Sequence, residues 1–329
     1  MKLFIQFTMF FLCILLTFSC SYFTHPQQAD ESFIPSNNYK TFLNDHRPLV
    51  YIDEAHYNFH TIDGRYSPFV KVLKSDGYLV KANKKEFTLE NLKSADILVI
   101  ANALSKKNEG TNGELPNYPA FKSEEVTAVH EWVSNGGSLF LIADHMPWPK
   151  ASEQLALAFG FKFNNGHGID PENRKSIYGV KKGDLANHAI TMGINNNDEM
   201  TAFGNQAFEM SKSKENSDNV NKVRTFGGQA FEIPSSAVSL LTFGQSSYSA
   251  MPSIPFNINK DTPKISVGGW SQGAVLDVGK GRIAVFGEAC MFSAQIDINN
   301  QAKCGFLADG AAENEQFLLN IMHWLSRLL

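Results

Sequence analysis

Apolar runs alternate with amphipathic stretches through the first half of the chain after residue 47. The apolar runs fall at residues 48–52, 78–80, 95–101 and 138–143. The stretches with helical spacing fall at residues 68–77, 88–94, 123–137 and 151–159. Strands that are apolar at nearly every position are typical of parallel sheets buried on both faces. The pattern therefore predicts an α/β fold with a mostly parallel sheet flanked by helices.

The second half of the chain is richer in strand patterns. Residues 223–233 and 237–243 are predicted strands, and residues 273–278 and 282–286 form a predicted hairpin that turns at Gly279-Lys280-Gly281. Residues 313–328 carry an apolar stripe at helical spacing, which predicts a helix that covers the sheet. We interpret residues 103–122 and 164–170, both rich in Asn and Gly, as loops at the rim of a site.

The N-terminus has the features of an export signal. Residues 1–20 carry Lys2 followed by an apolar run, and Ser19-Cys20 resembles the end of a bacterial lipobox. We expect residues 1–20 to be a lipoprotein signal peptide with Cys20 as the lipidated residue, and the polar residues 21–46 to be a flexible tether. Residues 47–329 then form a single α/β domain, held at the cell envelope through the N-terminal lipid.

Charge and cysteine content narrow the choices further. The net charge is −4 with a pI near 6.1, and no basic stripe is present, which argues against a nucleic-acid partner. Two cysteines, Cys290 and Cys304, remain in the domain, and they either form one disulfide or are buried as small apolar residues. No Cys-x-x-Cys pair is present, so a structural zinc cluster is disfavoured.

Polar side chains follow the apolar strands where each strand ends. They are Asp53-Glu54-Ala55-His56, Asn102, Asp144-His145 and Glu288. Parallel strands of one sheet place these ends at the same edge, where such folds bind ligands. An imidazole can exchange a proton near neutral pH, and a carboxylate beside it stabilises the charged form. The predicted catalytic residues are His145, Glu288, His56, Glu54 and Asp144.

Further polar and aromatic residues around these ends are candidates for holding a substrate. They are Asn58, His60, Arg65, Asn102, Trp148, His167 and Gln272. Each also has a structural interpretation: Trp148 is either a stacking surface for a sugar or a core residue, and Arg65 either meets an acidic group of the substrate or has a structural partner. Asn102 is equally typical of a turn, and Asp144 of a helix cap.

Four segments together resemble a known group of proteins. Residues 53–58, 143–147, 187–193 and 281–288 resemble exported bacterial proteins related to the ThuA-like and GIFT domains, in the class I glutamine amidotransferase-like superfamily. The resemblance implies a flavodoxin-like fold over residues 47–328. Glutamine amidotransferases place a cysteine nucleophile on the turn that holds Asp144-His145 here, so amidotransferase chemistry is not expected.

A site of imidazoles, carboxylates and amides without a nucleophile is suited to proton transfer. Our first hypothesis is an extracytoplasmic enzyme that acts on oligosaccharide fragments or another small polar substrate, as a carbon–oxygen lyase (dehydratase) or a hydrolase, with no cofactor required. The second is a hydrolase that uses a divalent metal, since imidazole and carboxylate groups can bind zinc or manganese. The third is a non-catalytic lipoprotein that binds a sugar or a protein.

Overall fold

The structure is a computed structural model that describes residues 26–43, 47–194 and 218–329. The predicted signal peptide with its Cys20 lies outside these residues, as do residues 212–217 of the charged segment 212–221. Within them, no helix is both long enough and apolar enough to cross a membrane.

Seventeen short strands and six α-helices make up the described chain. The strands are β1 (Gln27–Ala29), β2 (Leu49–Asp53), β3 (Leu79–Asn83), β4 (Ile97–Ala101), β5 (Ser138–Ile142), β6 (Lys162–Phe163), β7 (His167–Ile169), β8 (Ile177–Gly179), β9 (Lys222–Arg224), β10 (Phe231–Glu232), β11 (Val238–Thr242), β12 (Tyr248–Ala250), β13 (Lys264–Ser266), β14 (Ser271–Val278), β15 (Gly281–Phe286), β16 (Ala294–Asp297) and β17 (Lys303–Gly305). The helices are α1 (Ser67–Ser75), α2 (Leu89–Leu92), α3 (Ser123–Ser134), α4 (Trp148–Ala158), α5 (Ala189–Met192) and α6 (Asn314–Leu325).

The central sheet has a parallel half and an antiparallel half. Its order is β3-β2-β4-β5-β15, with all neighbours parallel, followed by β14, β10 and β6, and β11 also pairs with β14. Numbered along the chain, the parallel strands have the order 2-1-3-4-5 that flavodoxin-like folds show. The α/β prediction is therefore confirmed, as is the hairpin of β14 and β15. The antiparallel strands come from the β-rich second half of the chain.

Both faces of the parallel half are covered by helices, which explains its uniformly apolar strands. Along β4, Ile97 and Val99 face the core that α1 and α6 cover, whereas Leu98 and Ile100 face the core covered by α2, α3 and α4. Each successive side chain of a strand points to the opposite face. Because both faces are buried, no position of β4 tolerates exposure, and every residue of this strand is buried.

Residues 26–43 are not a tether, contrary to the prediction for residues 21–46. β1 pairs with β16, and Phe33 and Phe42 are buried in the core on the α6 side of the sheet. The backbone N–H groups of Ser36 and Asn37 donate to the carboxylate of Glu315 on α6. The segment is polar overall, but its two buried side chains, Phe33 and Phe42, fix it to the domain.

The predicted strand over residues 223–233 is also wrong. The structure breaks it into β9 and β10, which belong to different sheets. Between them Gly227 and Gly228 have φ values of 128° and 95°, a region that other residues rarely adopt. A Cβ at Gly228 would lie only 2.0 Å from the carbonyl oxygen of Gly287. The backbone therefore packs against the end of β15 at a distance that only glycine allows.

A disulfide joins Cys290 and Cys304, with Cα atoms 6.2 Å apart. The bond resolves the choice that the sequence left open. It ties the turn after β15 to β17, which in turn pairs with β16.

Replacing Phe33 by alanine tests whether residues 26–43 are part of the folded domain. Phe33 is 3% exposed, so we expect Phe33→Ala to lower the free energy of unfolding, by about 3 kcal/mol, as large-to-small core substitutions do. The matched control is Ile34→Ala, because Ile34 is 83% exposed, and its effect should stay within about 0.5 kcal/mol. Denaturant unfolding measures both. Equal, small effects would show that the segment is a tether after all.

Candidate active site at the carboxyl edge of the parallel sheet

The structure places the four polar strand ends at one edge of the sheet, as predicted. β4 lies between β2 and β5, and β15 lies beside β5, all parallel and in register at their ends. Ala101 pairs with Ile142, and Ile142 pairs with Phe286. The residues that follow each strand therefore share one rim, and they divide into two clusters there.

The first cluster is a buried triad of Asp53, His56 and Glu125. The Nδ1 atom of His56 lies 2.9 Å from Oδ2 of Asp53, and its Nε2 lies 2.9 Å from Oε1 of Glu125. The ring is packed between Phe87 and Phe121, with centroid distances of 4.6 and 4.8 Å. Both nitrogens of His56 are thus occupied by carboxylates.

The charges in this triad compensate each other. Burial alone would lower the pKa of His56, but the hydrogen bonds and charges of Asp53 and Glu125 outweigh it and raise the pKa above 6.5. Burial would also raise the pKa of Glu125, yet the N–H groups of Lys122 and Phe87 and the charge of His56 lower it. An imidazolium between two carboxylates follows from these directions.

Glu54 and Asn58, which flank this cluster, have structural partners. Oε1 of Glu54 accepts the N–H of Ile62 at 2.8 Å, and its Oε2 lies 3.7 Å from Nζ of Lys84. Oδ1 of Asn58 accepts the N–H of His56 at 3.2 Å. Both side chains shape the loop after β2.

The second cluster contains Asp144, His145 and Glu288. Oδ1 of Asp144 accepts the N–H of His145 at 2.7 Å, and Nε2 of His145 lies 3.8 Å from the same oxygen. Nδ1 of His145 lies 2.8 Å from the carbonyl oxygen of Met146. Because a carbonyl oxygen only accepts, Nδ1 of His145 is the donor in this hydrogen bond.

Glu288 is 1% exposed, and it is held by the turn that follows it. Its Oε1 accepts the N–H of Cys290 at 2.7 Å and its Oε2 the N–H of Met291 at 2.8 Å. Phe226 adds a third backbone hydrogen bond. Burial and the charge of Asp144 nevertheless raise the pKa of Glu288 well above its usual value. Glu288 is therefore protonated under conditions in which an exposed glutamate is ionised.

Asn102 positions Asp144 from the neighbouring strand. It has a φ of 52°, and its Oδ1 accepts the N–H of Asp144 at 2.9 Å. Its carbonyl oxygen accepts the N–H of Phe59 at 3.0 Å. Asn tolerates this left-handed conformation better than most residues. Asn102 therefore links the loops that follow β2 and β5.

Aromatic rings surround His145. The imidazole of His167 is stacked on it at 4.3 Å, and Trp148 lies at 5.0 Å. Burial, together with the neighbouring imidazole of His145, lowers the pKa of His167 to about 3, so the His167 ring is neutral. Phe256 lies 4.5 Å from His145 and is 60% exposed, which places it on the solvent side of the imidazole pair.

His60 and Arg65 lie in the loop before α1, against aromatic rings. The His60 ring lies 4.5 Å from that of Tyr66, and the guanidinium of Arg65 lies 3.8 Å from the ring centroid of Phe59. Burial lowers the pKa of Arg65 to about 10, which leaves it charged at neutral pH.

A cavity of about 350 Å³ lies beside the second cluster rather than over it. Gly168, the neighbour of His167, lines it, and so does Gln272, whose carbonyl oxygen accepts the N–H of Gly287. Its other walls include Asp170, Asn173, Arg174, Tyr178, Phe243 and Tyr248. Of the predicted substrate-binding residues, Gln272 is the one in this wall.

Sequence reasoning missed two members of these clusters. Glu125 was interpreted only as part of a helix start, and its Oε2 does accept the N–H of Lys122, but its Oε1 also reaches His56. Tyr66 is fully buried, its hydroxyl donates to the carbonyl of Ala289 at 3.0 Å, and burial together with Glu288 and Asp144 raises its pKa. The sequence signal for Glu125 was an acid at the third position of a helix, next to aromatic residues. No sequence signal indicated Tyr66.

Among the described residues, no group of three or more His, Cys, Asp and Glu side chains is arranged to hold a metal ion. The proposed ligand set of His56, His60, Asp144, His145 and Glu288 is divided between the clusters. His56 is bonded to Asp53 and Glu125, whereas Asp144, His145 and Glu288 belong to the second cluster.

Comparison with known proteins shows likeness at the level of the fold. No protein-family model and no curated protein sequence matches the chain. The N-terminal domain of mmIFT52 superposes with a TM-score of 0.54 at 14% identity, over 84% of this chain and 97% of that domain. The cytoplasmic protein STM3548 from Salmonella typhimurium gives 0.45 at 13% identity, over 84% and 98%. A ThuA-like protein from Bacteroides uniformis gives 0.41 at 10% identity, over 87% and 95%.

The fold is thus α/β with flavodoxin-like strand order, and the mmIFT52 domain shares it. At 14% identity this likeness concerns the fold alone. Function has to be argued from the site.

Replacing His56 tests the buried triad. His56→Gln leaves two buried carboxylates without a cation, and we expect a loss of about 3–5 kcal/mol in the free energy of unfolding near pH 6. The pKa of His56 is raised in the folded state, so its stabilisation is fully present below pH 6.5 and is lost as pH rises through the folded value. The difference between wild type and variant should therefore shrink with increasing pH. A difference that grows with pH would contradict the charged triad.

Replacing Glu288 tests its protonation. The folded protein keeps a proton on Glu288 that the unfolded chain releases above pH 4.5, so wild-type stability should fall as pH rises above this value. The stability of Glu288→Gln relative to wild type should consequently rise with pH, by at most about 1.4 kcal/mol per pH unit. Denaturant unfolding from pH 5 to 8 measures it. A relative stability that falls with pH would mean that Glu288 is ionised in the folded protein.

Proposed function

We propose that this chain is an acid–base enzyme, a carbon–oxygen lyase (dehydratase) or a hydrolase, with its centre at Asp144, His145 and Glu288. The observation that carries the proposal is the buried Glu288, whose pKa is raised by burial and by the charge of Asp144, in one cluster with the imidazole of His145 at the carboxyl edge of a parallel sheet. Pairs of titratable groups whose environments separate their pKa values are the usual basis of acid–base division.

His145 is the proposed proton acceptor. Its Nδ1–H donates to the carbonyl of Met146, which fixes the ring, and Nε2 is the atom to which we assign the proton transfer. The carboxylate of Asp144, 3.8 Å from Nε2, then stabilises the imidazolium. The neutral ring of His167 stacked on His145 keeps a second positive charge out of the site.

Asp144 and Glu288 together are the proposed proton donor. Burial and the charge of Asp144 disfavour the ionised form of Glu288, so Glu288 is the group that we assign to hold the proton. In an elimination this proton leaves with the departing hydroxyl; in a hydrolysis it protonates the leaving oxygen.

The proposed substrate is an oligosaccharide fragment. The cavity of about 350 Å³ beside the cluster falls in the range of small-molecule sites, which is about 300–1,000 Å³. Asp170, Asn173 and Gln272 supply hydrogen-bond partners for hydroxyl groups, and Tyr248 and Phe243 supply apolar surface. Trp148 and His167, near His145, complete the polar and aromatic surroundings.

Other predicted site residues take supporting roles in this proposal. His56 and Glu54, which the sequence put among the catalytic residues, are positioning residues, since carboxylates occupy both nitrogens of His56 and Glu54 holds the N–H of Ile62. Asn58 and Asn102 fix the loops. His60 and Arg65 lie near Tyr66 and Phe59, and we propose that they contact the substrate.

The location and the relatives belong to the same proposal. A signal peptide over residues 1–20 and lipid on Cys20 would anchor the domain at the cell envelope, where it would meet fragments of extracellular polysaccharides. We also propose kinship with the ThuA-like and GIFT proteins of the glutamine amidotransferase-like superfamily. The segments that end in Asp144-His145 and Glu288 support it.

One observation favours the alternative of a non-catalytic binding protein. Both oxygens of Glu288 are held by backbone N–H groups and the side chain is 1% exposed, a satisfied arrangement that a purely structural carboxyl also adopts. In that case the cavity binds a sugar or a peptide and no bond is broken.

Turnover by the purified full-length chain distinguishes these possibilities. The chain is incubated with neutral and uronic-acid-containing oligosaccharides, and the products are weighed by mass spectrometry. Loss of one water indicates dehydration, and gain of one water indicates hydrolysis. We expect His145→Gln to reduce the rate by about 100-fold or more, as the loss of a general acid or base does.

The matched control is His130→Gln, because His130 lies on α3 against Phe159 and away from the strand ends. Its rate should equal that of wild type. Undiminished turnover in His145→Gln contradicts the assignment. Binding without turnover across the panel supports the binding protein, and activity that appears only with an added divalent ion supports the metal-dependent alternative.

A further inference from the structure

A second cavity lies next to the first and is strongly basic. Its volume is about 420 Å³, and Arg174, Lys175, Arg224 and Lys303 line it. Asp297 is the one acid among its lining residues. The remaining walls are Gln27, Ser176, Thr225, Phe226, Gly227, Ala302 and Cys304. We refer to this cavity as the basic cleft.

The cations of the basic cleft lack carboxylate partners within residues 26–43, 47–194 and 218–329. None of Arg174, Lys175, Arg224 and Lys303 has an ion pair with a carboxylate of the described residues. Four like charges around one cavity repel each other, and an anion would relieve this repulsion. The chain therefore keeps an unfavourable arrangement that a negatively charged ligand would stabilise.

Arg224 is held in place within this cleft. One guanidinium nitrogen donates to the carbonyl of Asp309, and the group lies 4.8 Å from the ring centroid of Phe226. Its Nε is buried and makes no hydrogen bond with the described residues. A guanidinium that is held in position is suited to carboxylate or sulfate, since its N–H groups match two oxygens of such anions.

The basic cleft is continuous with the proposed substrate cavity. Arg174, Ser176 and Gly227 line both. The loop that carries Arg224 and Gly227 also donates the N–H of Phe226 to Glu288. A ligand with one anionic group in the basic cleft would therefore extend through the first cavity towards the proposed catalytic cluster.

We propose that the basic cleft is an anion subsite and that the substrates of this protein are acidic oligosaccharides, with a carboxylate or sulfate group bound by Arg224, Arg174, Lys175 and Lys303. The claim that the bound molecule is a substrate rests on the proposed function. The recognition of the anion, however, is a property of the cleft alone and can be measured without turnover.

Binding to the full-length chain by calorimetry tests the subsite. The probes are a uronate trisaccharide, a sulfated trisaccharide, the neutral trisaccharide with the same linkages, and inorganic phosphate. Wild type should bind one or both acidic probes at least about tenfold more tightly than the neutral one, the factor expected from one charge-assisted contact. Raising the salt concentration should reduce this preference.

Arg174→Gln and Lys303→Gln should each remove most of the preference, because both side chains are exposed and make no hydrogen bond that the fold requires. The control is Lys181→Gln, an exposed lysine on the adjacent turn that is not part of the cleft wall. Arg224→Gln should have the largest effect, and its unfolding curve is measured alongside because Arg224 also contacts Phe226.

Equal affinity for acidic and neutral probes overturns the subsite, as does an acid preference that Lys181→Gln weakens as much as Arg174→Gln. Phosphate that binds as tightly as the acidic sugars, with the neutral sugar unbound, also overturns the substrate class, because the cleft then holds an ion only. Acid-selective binding without turnover supports the subsite while contradicting the enzyme. Turnover with no preference for acidic fragments does the reverse.

Discussion

The burial of Glu288 is the constraint on which the candidate site at the edge of the sheet depends. Glu288 follows β15, the strand that joins the parallel half of the sheet to the antiparallel half. A carboxyl group at this junction needs hydrogen-bond partners, since it has no access to water. The turn at Cys290 and Met291 supplies two of them, and the loop at Phe226 supplies a third.

Several separate features of the fold serve that arrangement. The disulfide from Cys290 to Cys304 secures the turn that donates to Glu288, and the two glycines after Phe226 let the adjacent loop come against the end of β15. The hydroxyl of Tyr66 donates to the carbonyl of Ala289, the residue that follows Glu288. The two clusters at this edge differ in charge balance: the triad at His56 compensates its own charges, whereas burial and the charge of Asp144 raise the pKa of Glu288. The first stabilises the loop after β2, and the second contains the group to which we assign the proton in the proposed chemistry.

Sequence reasoning recovered what depends on local pattern. Strands β2, β4, β5 and β15 were evident because burial on both faces demands uninterrupted apolar residues, and parallel pairing then brought their polar ends together.

Contacts between residues distant in sequence could not be predicted from local patterns. Glu125 reaches His56 across 69 residues, and the packing of Phe33 and Phe42 depends on surfaces formed much later in the chain. The break between β9 and β10 was missed because apolar residues flank Gly227-Gly228 on both sides, and the close approach to Gly287 that requires glycine is a tertiary contact. The basic cleft was invisible for the same reason, since its cations come from three separate segments.

The central claim is that Glu288 carries a proton at the strand edge. The most direct measurement is a titration of the side-chain carboxyl carbons by nuclear magnetic resonance in the full-length protein, with Glu288→Gln identifying the signal. The account predicts that the Glu288 signal keeps the chemical shift of a protonated carboxyl far above pH 4.5, the ordinary value for glutamate. A signal that titrates at or below that value would contradict the claim, because Glu288 would then be an ordinary buried carboxylate held by its backbone N–H groups.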